Sequence, residues 1–109
     1  MNSQGGAELA IVELPTEIDV RNAEEVRDLL VGAAVTGVTL LVADLTNTTF
    51  CDSSGFREMI SARKKLAIAG VGMRLALPDA NVRRVMQTLG LEQVLSPYPS
   101  VFAAIGRYK

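Results

Sequence analysis

Two hydrophobic periods alternate along the chain. In "AELAIVEL" (7–14), Leu9, Ile11 and Leu14 stand in a loose every-second pattern, which predicts a strand closed by a Pro15-Thr16 turn. From Asn22 the spacing lengthens. Val26, Leu29, Leu30 and Ala33 recur at helical intervals. Asn22 is the expected N-cap and Glu25, three residues on, completes a capping-box pattern, so a helix is predicted over 22–35, ending near Gly37. "VTLLVADL" (38–45) is almost continuously apolar and rich in branched residues, as expected of a strand buried on both faces of a parallel or mixed sheet. "TNTT" (46–49) reads as a turn, after which Phe50 and Cys51 return toward the core.

Residues 54–69 place Phe56, Met59, Ile60 and Leu66-Ala67 on one broad helical face, stopped by Gly70 and Gly72. "MRLAL" (73–77) alternates and predicts a strand. Pro78-Asp79 breaks it, and Asp79 caps a helix through Val82, Val85, Met86 and Leu89, closed by Gly90. Val94-Leu95 reads as a short last strand, "SPYPS" as a turn, and Ser100 as the cap of a final helix through Val101, Phe102 and Ile105. Strand–helix alternation of this kind implies an α/β fold: a single-domain sandwich with right-handed crossovers and a mixed central sheet of about four or five strands with about four helices. Residues 1–6 read as a flexible N-terminus and 7–109 as the domain.

Composition narrows the chemistry. A chain of 109 residues, 49% hydrophobic and 21% charged, has the make-up of an ordinary soluble domain with a small core. A net charge of -1 gives no general attraction to nucleic acid or anionic lipid. No apolar run approaches the roughly 20 residues of a membrane span, and the start lacks the pattern of a signal peptide. A single cysteine cannot form an internal disulfide and suits a reducing compartment, so a cytoplasmic location is expected. With no histidine, a Ser-His-Asp triad or a His-bound zinc is impossible within this chain. The sequence contains no phosphate-binding G-x-x-x-x-G-K-[ST] loop, and no cofactor or metal is expected. Three Phe, two Tyr and no Trp make a base-stacking surface a poor fit.

One junction stands out. "TFCDSSGF" (49–56) follows the most apolar run, at the carboxyl end of a strand, where α/β sheets gather their ligands and partners. Asp52 and the serines can cap the next helix, and Gly55 allows close approach. The same geometry exposes a hydroxyl at the positive end of a helix, where a phosphate is accommodated. Phosphorylation there would add about -1.5 to -2 charge beside Asp52 and dislodge a closely packed partner.

"LLVADLTNTTFCDSSGF" resembles the central signature of the STAS domain family, the anti-sigma-factor antagonists. "ELPTEIDVRNAEEVRDLL" resembles the family's earlier strand, turn and first helix, and "LPDANVRRVMQTLGLEQVL" its third-helix region with the Leu-Gly-Leu ending. The resemblance spans about residues 7 to 106. It implies a non-enzymatic antagonist that binds an anti-sigma factor, itself a serine kinase, and frees a sigma factor. Phosphorylation would switch it off, and a metal-dependent serine phosphatase would reset it. Carried onto this chain, Ser53 is the phosphoacceptor, Asp52 flanks it, Ser54 and Gly55 shape the helix start, and Asp19 is the acid placed beside this surface.

Two positions depart from the family pattern. Arg57 replaces the second glycine of a common Gly-Leu-Gly, and is read either as a partner of Asp52 or a phosphate, or as a solvated residue. Thr16 stands where a glycine is common. The competing readings are an adaptor subunit of a stress-sensing or lipid-transport complex and, behind it, an enzyme with Ser53 as nucleophile. Asp19 is read both as a partner contact and as a helix-start residue. Asp44 is expected to be satisfied by backbone donors, Cys51 to be a core residue, Met59, Met73 and Met86 to be packing residues, and Arg63-Lys64-Lys65 to form a solvated face.

Overall fold

The computed structural model describes residues 8–106. Their elements run β1 (Glu8–Glu13), β2 (Glu17–Ile18), α1 (Ala23–Gly32), β3 (Val38–Asp44), β4 (Phe50–Cys51), α2 (Ser53–Ile68), β5 (Gly72–Ala76), α3 (Ala80–Thr88), α4 (Glu92–Leu95), β6 (Pro97–Tyr98) and α5 (Val101–Ile105). The expected α/β class holds. The central sheet has four strands in the order β1-β3-β5-β6, and β2 and β4 form a separate two-stranded pair. All described ladders are parallel, where a mixed sheet was expected, and five helices are described rather than about four. The flexible terminus expected over 1–6 lies outside the described residues.

β3 is the centre of the sheet because its sequence buries both faces. Leu41 and Ala43 join Val26 and Leu30 of α1, Phe56, Met59, Ala62 and Leu66 of α2, and Met73 and Leu75 of β5 in the main core. On the opposite face Leu40 and Val42 pack with Ala76 and with Ala104 of α5. Each fully buried Leu, Met or Phe side chain contributes about 1.5–3 kcal/mol relative to exposure. Because α5 is short, this second face is lightly covered: Ile11 stays 49% exposed and Phe102 89%. Met59, Met73 and Met86 are buried packing residues, as expected.

Three local expectations change. The capping box at Asn22 is not made: its Oδ1 accepts from Asp19 N at 3.0 Å and its Nδ2 donates to the Glu17 carbonyl at 2.9 Å, so the side chain fastens the preceding turn instead. The strand expected at Val94-Leu95 is the helical turn α4, which points Leu95 into the core. Ser96, with φ 52, then turns the chain, and the strand forms three positions later than expected, at Pro97–Tyr98. Proline lacks the N–H that a central strand would need, and β6 is an edge strand, where that loss is tolerated. Arg63, finally, is half-buried and lines a cleft instead of joining the exposed Lys64 and Lys65.

Candidate functional site

The parallel pairing of β2 with β4 sets Glu17 opposite Phe50 and Ile18 opposite Cys51. The residues that follow, Asp19 and Asp52, therefore leave adjacent strands together. Asp52 N donates to the Ile18 carbonyl at 3.2 Å, and Thr49 N to the Thr16 carbonyl at 2.8 Å. Thr48 is fully buried and satisfies its hydroxyl on the Pro15 carbonyl at 2.7 Å, tying the two loops below the site. Asp44 accepts from the amide of Thr46 at 2.9 Å and from its hydroxyl, which holds the turn that leads into β4.

Asp52 is extended (φ -96, ψ -174) and caps α2. Its Oδ1 accepts from Ser54 N at 3.0 Å, from Gly55 N at 3.2 Å and from the Ser54 hydroxyl. Two free amides at the helix start and one of the two serine hydroxyls are thus already partnered. Ser53 differs: it is exposed, and its hydroxyl has no hydrogen-bond partner among the described residues. Gly55 is buried because α2 starts against the β2–β4 pair. A Cβ there would stand 2.6 Å from Cys51 Sγ and 2.8 Å from Ile18 Cγ2, well inside contact distance. Cys51 is a core residue as expected; burial first, and then the Asp52 charge, push its thiol pKa up to about 12.

Arg57 is exposed, one turn beyond Ser53, and makes no ion pair or hydrogen bond among the described residues. The pairing with Asp52 that the sequence suggested is not formed, since the carboxylate faces the helix amides. Instead Arg57 shares with Ser53 a shallow groove of about 220 Å³, completed by Ile60, Leu89 and Leu91. The two leucines were not singled out as site residues from sequence. The signal was Gly90, whose φ of 73 turns the chain between them.

Asp19 is brought to the site, but its carboxylate is engaged. It accepts from Arg21 N at 2.9 Å and from Arg21 Nη2 at 2.7 Å, and this arginine holds its pKa below the ordinary Asp value. Its backbone carbonyl accepts from Asn22 and Ala23 at the start of α1, so the helix-start role is the one its contacts display. Val20 and Phe50, 77% and 50% exposed, flank the two acids with apolar surface. Among the described residues, no group of three or more His, Cys, Asp or Glu is placed to hold a metal ion, and no helix is long and apolar enough to cross a membrane. What the site offers is one accessible hydroxyl on a fixed helix start, with an unpaired cation and apolar surface beside it.

Residues 1–104 match the STAS domain family model. A candidate anti-anti-sigma factor of Mycobacterium tuberculosis is 30% identical over 108 residues, covering 96% of this chain and 72% of that protein. Among solved structures, a sulfate transporter family protein from Wolinella succinogenes aligns with a TM-score of 0.74 at 11% identity, over 88% of this chain and 80% of that one. The anti-sigma factor antagonist SpoIIAA aligns in its unphosphorylated form with a TM-score of 0.67 at 24% identity, over 88% and 84% of the two chains. The phosphorylated form of SpoIIAA, the Bacillus cell fate determinant, aligns with a TM-score of 0.64 at 23% identity, over 98% and 96%. At these identities the structural likeness is one of fold.

Proposed function

The chain belongs to the STAS domain family, and on that footing we propose that it is an anti-sigma-factor antagonist whose binding to an anti-sigma factor with serine kinase activity is switched off by phosphorylation of Ser53. The observation that carries this reading is the asymmetry of the two serines. Ser54 is bound through its hydroxyl to Asp52, whereas Ser53 is exposed on the first turn of α2 and its hydroxyl has no partner among the described residues. Further support comes from the candidate anti-anti-sigma factor that is 30% identical over 108 residues, and from SpoIIAA, a relative known in both unphosphorylated and phosphorylated forms.

The switch follows from charge and packing. Unmodified, Ser53 shares its groove with Leu89 and Leu91, and the exposed side chains of Leu89, Phe50 and Val20 give this end of the molecule apolar surface that suits a protein partner. A phosphate brings about -1.5 to -2 charge to this patch. The helix amides that would otherwise attract it are occupied by Asp52, a fixed like charge, so the modified surface repels a partner packed against it. Asp19, Asp52, Ser54 and Gly55 shape the contact, and Arg57 contributes the cation on its rim. A serine phosphatase that uses metal ions would reverse the change.

The test is incubation with the anti-sigma factor kinase and ATP. One phosphate per chain is expected, located on Ser53 and abolished in Ser53→Ala. Modification that persists in Ser53→Ala overturns the assignment. Pull-down that recovers an ATPase transporter subunit and no kinase would establish the adaptor reading in its place.

A further inference from the structure

We propose that the cleft at the amino ends of β3, β5 and β6 binds a small phosphate-bearing anion, held by Arg63 and Arg74. The cleft has a volume of about 290 Å³, and its lining includes both arginines and no carboxylate. Arg63 Nε is enclosed and has no hydrogen-bond partner, and the side chain makes no ion pair among the described residues. Arg83 also encloses its Nε, but its Nη2 reaches the Leu77 carbonyl at 2.6 Å; Arg63 has no such acceptor. An enclosed guanidinium N–H without an acceptor is costly to keep, and an anion bound to the remaining N–H groups of the same guanidinium offsets that cost.

Arg74 is already positioned. Its Nη1 donates to the Ala104 carbonyl at 2.8 Å, and its guanidinium carbon stands 5.7 Å from the centre of the Tyr98 ring. That one hydrogen bond leaves its other N–H groups for a ligand. Planar guanidinium forks match phosphate oxygens in pairs, which a single ammonium cannot do. Ser96 contributes to the lining from a left-handed backbone conformation, the one non-glycine residue with positive φ among those described. Leu40 and the Tyr98 ring, which share one face of the sheet, supply apolar wall for a short carbon body. The volume sits at the lower limit of small-molecule sites, about 300–1,000 Å³, so the anion is phosphate itself or the monoester of a small alcohol.

This site is separate from the switch. Arg63 lies about 15 Å further along α2 than Ser53, at about 1.5 Å of rise per residue. The experiment is titration of the isotope-labelled protein with glycerol phosphate, inorganic phosphate and glycerol, followed through backbone amide resonances. Saturable shifts centred on Gly72, Met73, Arg74 and Ser96 are expected with the phosphates and none with glycerol. Tighter binding of glycerol phosphate assigns the monoester, and tighter binding of inorganic phosphate assigns the free ion. Arg63→Gln should weaken binding at least about tenfold. Because Arg63 makes no hydrogen bond among the described residues, this variant keeps its fold and decides the matter even if Arg74→Gln, which also loses the Ala104 contact, does not. Absence of saturable shifts, shifts centred on the start of α2, or unchanged affinity in Arg63→Gln overturns the proposal.

Discussion

Asp52 takes the hydroxyl of Ser54 on the same carboxylate oxygen that caps α2. One group thus both starts the helix and removes a competing hydroxyl from the surface. The chemical distinction between two neighbouring serines depends on it.

Asp52→Ala should separate these two roles. Loss of the cap should lower stability by about 0.5–2 kcal/mol, measured by urea unfolding. Ser54, released, should begin to accept phosphate from the kinase alongside Ser53. Peptide mapping that still finds phosphate only on Ser53 would mean that the kinase, not the Asp52 contact, selects the residue.

Gly55→Ala should drive a methyl group into Cys51 and Ile18 and displace the start of α2. A cost of about 1–3 kcal/mol is expected from overpacking. Cys51→Ala removes the nearer obstacle, so the double variant should be less destabilised than the sum of the singles. Strict additivity in that cycle would show that the contact is relieved some other way.

Cys51 should make stability fall in alkali. In the unfolded chain its thiol ionises near 9.0, whereas burial raises the folded value to about 12. Between these values unfolding releases a proton, so stability declines as pH rises, by up to about 1.4 kcal/mol per pH unit, and the contribution is fully present below the unfolded value. Cys51→Ala should lack this component of the slope. A thiol reagent at neutral pH should label Cys51 only across the unfolding transition.

Arg57→Ala should change stability by less than about 0.5 kcal/mol, since the side chain is exposed and makes no pair among the described residues. Its effect should appear once Ser53 carries phosphate. In protein made with phosphoserine at 53, phosphorus resonance titration should place the second phosphate pKa, ordinarily about 6, lower in the wild type than in Arg57→Ala, by at least about 0.3 unit. Identical titrations would assign Arg57 to solvent or to the partner alone.

Much of this was legible because it is local. The uninterrupted apolar run of β3, the helical spacing of α2 and the Asp52 and Asp79 caps need only neighbouring residues to declare themselves, and both caps are made. Asn22 misled because its side chain had two sets of backbone partners within reach, and the β2 turn won over the helix. α4 and β6 were displaced because four apolar-flanked residues carry no usable period, and the choice was made by Leu95 burial and the turn at Ser96. At the site, Asp52, Ser53 and Gly55 could be read from the strand–helix junction. The groove residues Leu89 and Leu91 could not, since only the tertiary packing of the α3 end against α2 brings them to Ser53. Arg63 was likewise hidden inside a run of three basic residues, of which it alone turns toward a cleft.

The β2–β4 pair has a consequence for how the molecule breathes. It consists of two residues per strand, stands apart from the central sheet, and is too small to persist by itself. Its backbone bonds, such as Asp52 N to Ile18 O, can part without disturbing β3 or β5. Amide hydrogens there should exchange with solvent through a partial opening that costs less than global unfolding. Asp19 and the junction that leads into α2 therefore lie on the side of the protein that opens first, while the sheet behind them keeps its register.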